Sequence, residues 1–155
     1  MRFAIYGAGA IGAFLGAKLA VAGEDVALIA RGPHLRAMQA SGVRVRSPEG
    51  DFEAHPLATD DPADVGEVDY LVLAVKAHGL TAIAPSLHRL IGSHTTVVSA
   101  QNGIPWWYFQ RHGGPWDGRR LESVDPGGAV TRHIPADRVV GSVVYPAAVI
   151  AEPGV

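Results

Sequence analysis

A glycine-rich hexapeptide near the start of the chain has the spacing of a phosphate-binding turn. It follows an apolar run, Arg2–Tyr6, that predicts a short buried strand, and it reads G-x-G-x-x-G in the residues Gly7, Ala8, Gly9, Ala10, Ile11 and Gly12. The first glycine permits a tight turn, the second lets a pyrophosphate approach the backbone, and the third lets the next helix pack closely. The N–H groups and positive dipole end of that helix would face the phosphates. Between a strand and a helix, the motif predicts a dinucleotide site rather than a merely structural turn.

Arg31 distinguishes between two dinucleotides. It follows the second predicted strand, Asp25–Ala30, whose end faces the adenosine ribose in a unit of this type. A carboxylate there accepts a hydrogen bond from the 2′-hydroxyl of NAD, whereas an arginine matches the 2′-phosphate of NADP in charge and geometry. Because Glu24 and Asp25 lie at the opposite end of the strand, we expect NADPH/NADP. The alternative is an arginine that is simply solvated.

Lys76 and Asn102 each follow a further predicted strand. Lys76 comes after the near-continuous apolar run Val68–Val75, and Asn102 comes after the β-branched run Thr95–Ala100. Ligands of an open α/β sheet bind beyond the carboxyl ends of the strands, so we expect both side chains at the site of the glycine turn. Lys76 could supply a point charge or a proton, or extend into solvent. Asn102 could bind a carboxamide or a ketone, or serve as a turn residue before Gly103.

Alternating strands and helices would position these residues. Their order predicts an α/β fold of the Rossmann type, doubly wound around a mainly parallel sheet, with residues 1–155 forming one dinucleotide (NADP)-binding domain. Residues 43–57 predict an edge hairpin without evident chemistry, and residues 80–91 predict a helix that Gly92 ends. The helix after the glycine turn carries large apolar residues at spacings of three and four, namely Ile11, Phe14, Leu15 and Leu19.

Residues 104–138 are expected to be rich in loops. Within them, Pro105–Phe109 predicts a short helix and Leu121–Val124 a short strand. The three tryptophans of the chain fall here, and they could wall a substrate pocket, pack against another domain or form a dimer contact. Packing of some kind is the favoured interpretation for Trp106, Trp107 and Trp116.

Composition excludes several classes of protein. A net charge of −2 argues against nucleic-acid binding, which requires a basic surface, and no apolar run approaches the roughly 18 residues of a membrane span. The absence of cysteine rules out disulfides and thiolate metal sites, and the scattered histidines lack the spacing of a metal pair, so we expect no metal and surface or loop positions for these histidines. No export signal is evident at the start of the chain, so the expected location is the cytoplasm.

The combination of motifs resembles the ketopantoate reductase (2-dehydropantoate 2-reductase) family. The similar pieces are the glycine turn, Lys76 after its apolar strand, Gln101–Gly103 and, as in one bacterial branch, Val124–Gly128, Val144–Ala148 and Pro153–Gly154. The resemblance implies NADPH-dependent reduction of a 2-keto acid, 2-dehydropantoate, to pantoate, on the route to pantothenate and coenzyme A.

The resemblance also implies a role for each candidate residue. The glycine turn would hold the pyrophosphate and Arg31 the 2′-phosphate. Lys76 and Asn102 would lie at the nicotinamide and the substrate, and Ala148 would contact the cofactor through its backbone.

Members of the family continue into a helical C-terminal domain, which supplies the general acid and the groups that bind substrate. The 155 residues are similar to the N-terminal half alone, so we expect that domain to be absent and the chain alone to be inactive. Glu152 falls in the connecting loop and is not expected to replace the missing carboxylate. Expected partners are the small-molecule substrate and, at the tryptophan-rich surface, the missing domain or a second copy.

Two alternatives remain open at this stage. One is a stand-alone Rossmann nucleotide sensor that regulates a partner without chemistry, although Lys76, Asn102 and Arg31 all disfavour it. The other is a different NADP-dependent 2-hydroxyacid dehydrogenase, because the residues that would select the substrate are not among the motifs.

Overall fold

A parallel β-sheet is the framework of the computed structural model, which describes residues 1–155. The strands are β1 (Arg2–Tyr6), β2 (Asp25–Ile29), β3 (Val43–Val45), β4 (Phe52–Ala54), β5 (Leu57–Thr59), β6 (Val68–Leu73), β7 (Ile91–Ser99) and β8 (Val139–Gly141). Six of them form one sheet in the order β5-β2-β1-β6-β7-β8, and every pairing in it is parallel. The predicted doubly wound α/β fold is therefore confirmed, and the sheet is wholly rather than mainly parallel.

Helices cover both faces of the sheet. The α-helices are α1 (Ala10–Val21), α2 (Gly32–Ser41) and the short α3 (Leu80–Ile83). Because side chains alternate along a strand, Ile5 packs with α1 and α2 on one face, while its neighbour Ala4 belongs to the cluster that contains α3 and Trp106 on the other. None of the helices combines the length and apolar character that a membrane span requires.

Small residues form the buried side of α1. Gly12, Ala13, Gly16 and Ala17 are buried, whereas Ile11 and Phe14 are only partly so. The spacing of large apolar residues predicts the helix correctly, and Leu15 and Leu19 pack against the core, but the fully buried positions are the small residues. The absence of bulk brings α1 close to the sheet: a Cβ at Gly16 would overlap the Leu28 side chain.

The helix predicted for residues 80–91 is mostly absent. After the single turn of α3, residues 84–89 form a 3₁₀-helix, and β7 already begins at Ile91. Pro85 explains the difference, since it has no N–H to continue the α-helical hydrogen bonds. The apolar periodicity still marks the core, because Leu80, Leu87 and Leu90 are all buried.

Two further segments differ from the sequence prediction. The hairpin comprises only β3 and β4, and the residues that follow form β5, which pairs with β2 at the edge of the main sheet. Pro105–Phe109 and Leu121–Val124 form turns rather than a helix and a strand. Local side-chain contacts organise part of this region, since the buried Asp125 carboxylate accepts hydrogen bonds from the Val130 N–H at 2.7 Å and the Thr131 hydroxyl at 2.5 Å.

The tryptophans divide between the core and the surface. Trp106 is buried in the core on the α3 face, and Trp107 packs partly buried against the same cluster. A Cβ at Gly141 of β8 would overlap the Trp107 ring, so the strand and the indole are in close contact. Trp116 is 48% exposed, with the Arg119 guanidinium 4.6 Å from its ring centre. Packing thus accounts for two of the three.

The close contact of Gly12 with the Gly7 carbonyl predicts that a side chain at Gly12 would destabilise the fold. A Cβ at Gly12 would overlap the Gly7 carbonyl oxygen, whereas a Cβ at Gly9 meets no atom within 4 Å. We expect Gly12→Ala to lower the free energy of unfolding by about 1–3 kcal/mol, a typical overpacking cost. The control Gly9→Ala should change it by less than about 1 kcal/mol. Denaturant titration of both variants tests this, and equal midpoints would contradict it.

Candidate functional site

The glycine turn is fixed against β2. Gly7 has a φ of +96°, which an L side chain rarely adopts. The N–H groups of Gly7 and Ala8 both donate to the Ile29 carbonyl at 3.0 Å, and the Gly9 N–H donates to the Gly7 carbonyl at 2.7 Å. The turn is thereby tied to the last residue of β2, two positions before Arg31.

The N-terminus of α1 offers unpaired backbone donors. The N–H groups of Ala10, Ile11 and Gly12 form no hydrogen bond within the chain, and the first intrahelical donor is Ala13, which bonds the Gly9 carbonyl at 2.8 Å. A side chain at Gly9 would project into open space. These donors, the helix dipole and the open approach at Gly9 fit a pyrophosphate.

The switch point of the sheet lies at this turn. From β1 the chain runs to one side through β2 and β5, and it returns to β6 on the other side of β1. The crevice expected of this topology is outside the carboxyl ends of β1 and β6. Here a Cβ at Gly7 would lie 2.6 Å from the backbone N of Val75, so the two strand ends are in direct contact.

The ends of β6 and β7 are also joined. The Gln101 side-chain amide donates to the Val75 carbonyl at 2.7 Å. Lys76, the next residue after Val75, is exposed, and its side chain forms neither a hydrogen bond nor an ion pair within the chain. The structure thus brings Lys76 to the glycine turn, and its role there stays a prediction.

Arg31 lies at the other side of the turn. It is exposed, takes the N-cap position of α2 with an extended backbone, and forms no ion pair. Its position next to the Ile29 anchor of the glycine turn agrees with a contact to the ribose side of a dinucleotide. Binding of a 2′-phosphate stays a prediction.

The Asn102 side chain binds the backbone of Val144, a contact that its position in the sequence does not indicate. Its amide nitrogen donates to the Val144 carbonyl at 3.1 Å, and its amide oxygen accepts the Val144 N–H at 3.1 Å. The side chain therefore acts like a backbone partner for the chain after β8. One N–H and one lone pair of the amide remain for other partners.

Residues 142–155, which we name the crossing segment, run from β8 to α2 and β3. At the start, the Ser142 hydroxyl donates to the Ser99 carbonyl at 2.9 Å. At the end, the Gly154 carbonyl accepts the Arg44 N–H at 2.9 Å, and Glu152 pairs with the Arg46 guanidinium at 3.3 Å. Between these ends, residues 145–150 form no hydrogen bonds with other elements.

The crossing segment closes a cleft of about 780 Å³ over the start of α1. The cleft is lined by the first turns of α1, by His34 of α2, by residues 43–49 of the hairpin and by residues 146–151 of the crossing segment. Ala10, Ile11 and Ala148 thus face one space, whereas Arg31, Lys76 and Asn102 lie outside its lining. The contact of Ala148 with a cofactor stays a prediction.

His34 joins α2 to the crossing segment. Its Nδ1 accepts the Gly154 N–H at 3.0 Å, while its Nε2 is buried without a hydrogen-bond partner. Burial lowers the pKa of the imidazole, and the Ala8 carbonyl opposes this shift. The expectation that the histidines are surface or loop residues is therefore wrong for this one.

Two contributors to the cleft are missing from the sequence-based site. The hairpin has no motif of its own, and only its contacts with α1 bring it to the glycine turn. His34 does carry a local signal, because it lies one helical turn after Arg31 at the start of α2. A histidine at that position faces the same end of the sheet as the glycine turn.

Comparison with known proteins identifies related sequences and structures. The family model for ketopantoate reductase PanE/ApbA matches residues 3–105. A 2-dehydropantoate 2-reductase of Mesorhizobium japonicum is 50% identical over 155 residues, which are 99% of this chain and 48% of that protein.

Two crystal structures share the fold. One, from Ralstonia solanacearum MolK2 and assigned to the ketopantoate reductases, is 44% identical with a TM-score of 0.92, covering 99% of this chain and 47% of the other. The 2-dehydropantoate 2-reductase of Porphyromonas gingivalis W83 is 30% identical with a TM-score of 0.77, covering 99% and 50%. The chain spans about half the length of the proteins it matches.

The paired hydrogen bonds of Asn102 predict how the crossing segment is held. Asn102→Ala removes both bonds to Val144, and losing about 1–2 kcal/mol of local stability should raise amide exchange at Val144 roughly 5–30-fold. Hydrogen exchange followed by NMR measures this. The Ser142 N–H, which bonds the Ser99 carbonyl at 3.3 Å, is the internal control and should keep its protection. Unchanged exchange at Val144 would contradict the anchoring role.

Proposed function

Because the chain belongs to the ketopantoate reductase (PanE/ApbA) family, we propose that it is the NADPH-binding part of an oxidoreductase that reduces 2-dehydropantoate to pantoate. The observation that carries the proposal is the meeting of the free N–H groups of α1 with the ends of β1, β2 and β6 at one edge of the sheet. The names of the relatives support the substrate, a 2-keto acid. A place in pantothenate and coenzyme A synthesis and a cytoplasmic location stay predictions.

The glycine turn and α1 would bind the pyrophosphate. The N–H groups of Ala10 and Ile11 are the donors, and Gly9 leaves the approach open. Several backbone donors at a helix N-terminus stabilise a dianionic group without a cationic side chain. This contact is common to NAD and NADP, so it does not select between them.

Arg31 would select NADP over NAD. Its guanidinium is exposed and without an ion-pair partner, so a 2′-phosphate would not have to displace a carboxylate. A planar guanidinium can donate two parallel hydrogen bonds to a phosphate. The preference for NADPH follows from this one side chain.

Lys76 and Asn102 would define the nicotinamide end. NADPH, when bound, supplies a hydride, and the reduced ketone then requires a proton. Lys76 follows β6 at the switch point and can place a positive charge beside the substrate. The side-chain amide of Asn102 already forms two hydrogen bonds with the Val144 backbone, so its main contribution would be to hold the crossing segment. The general acid expected from the family resemblance belongs to the second domain.

Cofactor preference tests the assignment of Arg31. Wild type should bind NADPH more tightly than NADH by roughly 10–100-fold, the value of a hydrogen bond to a charged group. Arg31→Ala should lose this difference while binding NADH as before, and calorimetric titration measures all four affinities.

A second variant controls for the site itself. Gly9→Val should remain folded, because nothing in the chain lies where the side chain would project, and should bind neither cofactor. Equal affinities of wild type for the two cofactors would contradict the NADPH assignment. Normal binding by folded Gly9→Val would contradict the pyrophosphate site.

Measurement of turnover tests whether the reaction requires the second domain. We expect the 155-residue chain to bind NADPH but not to oxidise it measurably with 2-dehydropantoate, because a positioned general acid is typically worth about 10²–10⁴-fold in rate. Loss of NADPH absorbance is followed for this chain and for a version extended to the length of its relatives. Robust turnover by the 155-residue chain would instead make Lys76 the proton donor.

A further inference from the structure

The imidazole of His34 lies between two parts of the cofactor site. On one side its Nδ1 accepts the Gly154 N–H of the crossing segment at 3.0 Å. On the other side the ring lies near the Ala8 carbonyl of the glycine turn. Both groups are far from His34 in sequence, and one side chain therefore connects three elements that meet only in the folded chain.

The hydrogen bond to Gly154 fixes the protonation state of the ring. A nitrogen that accepts an N–H bond carries no proton, so neutral His34 must be protonated on Nε2. That Nε2 is buried and has no hydrogen-bond acceptor at standard distance. The Ala8 carbonyl of the glycine turn lies close enough to the ring to raise its pKa against the effect of burial.

We propose that His34 is a positioning residue of the cofactor site, which holds the crossing segment over the glycine turn through its neutral, Nε2-protonated imidazole. This inference rests on the proposed function, because the cleft that it shapes contains Ala10, Ile11 and Ala148. Residues 145–150 have no hydrogen bonds of their own to other elements. Their distance from α1 is therefore set by the ends of the segment, of which Asn102 holds one and His34 helps to hold the other.

Other contacts at the His34 end of the segment are weaker candidates for this role. The Arg46–Glu152 ion pair is exposed, with 63% and 54% of the side chains accessible, and such pairs contribute little. The Arg44 N–H bond to Gly154 comes from the hairpin and does not reach the glycine turn. His34, by contrast, accepts a hydrogen bond from the segment and lies near the Ala8 carbonyl of the turn.

Protonation would release the tie. An imidazolium carries a proton on Nδ1 that would face the Gly154 N–H, so the hydrogen bond and the charge exclude each other. The charged residues that line the cleft with His34 are Arg44, Arg46 and Glu49 of the hairpin. Arg31 and Arg36 belong to the same helix as His34, and Glu152 lies on the crossing segment. None of them forms a hydrogen bond with the ring, and α1 lines the cleft without a charged residue.

The direction of the pH effect follows from the lowered pKa. Burial favours the neutral ring, so the tie persists below the ordinary histidine pKa of about 6.5 and is lost as the pH falls through the lower folded-state value. Acid should therefore free the end of the crossing segment and weaken cofactor binding.

The variants His34→Asn and His34→Ala distinguish the effect of the hydrogen-bond acceptor at this position from the effect of protonation. Asn at this position offers an amide oxygen in place of Nδ1 and does not titrate, whereas alanine offers no acceptor. We expect the wild-type imidazole to show the Nε2-protonated tautomer in its ¹⁵N spectrum. The Gly154 amide should be protected at pH 8 in wild type and in His34→Asn, and unprotected in His34→Ala. On acidification, protection should fall in wild type only.

Cofactor binding provides the second measurement. His34→Ala should bind NADPH at least about fivefold more weakly than wild type at pH 8, and His34→Asn should restore most of this loss. The 2′-phosphate of NADPH also titrates, so the ratio of wild-type to His34→Asn affinity is followed from pH 8 to 5. This ratio should fall with acid. Circular dichroism of each variant confirms folding.

The outcomes distinguish this inference from the proposed function. An Nδ1-protonated ring, a Gly154 amide that stays protected in His34→Ala, or NADPH affinities equal in all three proteins would overturn the role of His34. A wild type that binds no NADPH at any pH would instead contradict the proposed function, and the tautomer and exchange measurements would still decide whether His34 holds the segment.

Discussion

The close approach of α1 to the ends of β1 and β6 is the constraint on which the candidate site depends. It exists because Gly7 and Gly12 carry no side chains: at either position a Cβ would overlap backbone atoms, of Val75 for the first and of the turn itself for the second. Packing at this distance aims the free N–H groups of α1 at the switch point of the sheet, where the strand order reverses. Gly9 differs from the other two, because a side chain there would meet only the space in front of the helix. Gly7 and Gly12 thus serve the fold, and Gly9 leaves open the space in which we propose that the ligand binds.

How much of this could be predicted from sequence depends on how local the signals are. The unit from β1 to β2 was predictable almost to the residue, because strand, glycine turn, helix and strand follow one another and their signals agree. The helix at residues 80–91 was not, since a single proline outweighs a correct apolar period. The turn from Asp125 to Thr131 is held by the buried Asp125 carboxylate, a side-chain contact that hydrophobic periodicity does not reveal. In the same way, β5 is a strand because it pairs with β2, and its three residues alone do not predict this pairing.

The remaining part of the site depends on contacts between distant parts of the chain. The Asn102–Val144 pair spans 42 positions, and the bond from Gly154 to His34 spans 120. No local pattern predicts either, although both residue types suit these contacts, because an amide side chain can replace a backbone partner and a neutral imidazole can accept and donate at once. The position of Asn102 after β7 predicts a site residue, and the structure shows that its side chain holds the crossing segment at Val144. The edge of the nucleotide fold is therefore closed by side chains at both ends of one extended segment.

We propose that the start of α1 and the end of β2 together bind one NADP molecule. A crystal structure of the chain with NADP⁺ would test this arrangement. We expect the pyrophosphate within hydrogen-bond distance of the Ala10 and Ile11 N–H groups, the 2′-phosphate against the Arg31 guanidinium and the nicotinamide toward Lys76. A dinucleotide bound elsewhere, or one whose adenosine ribose lies away from Arg31, would contradict it.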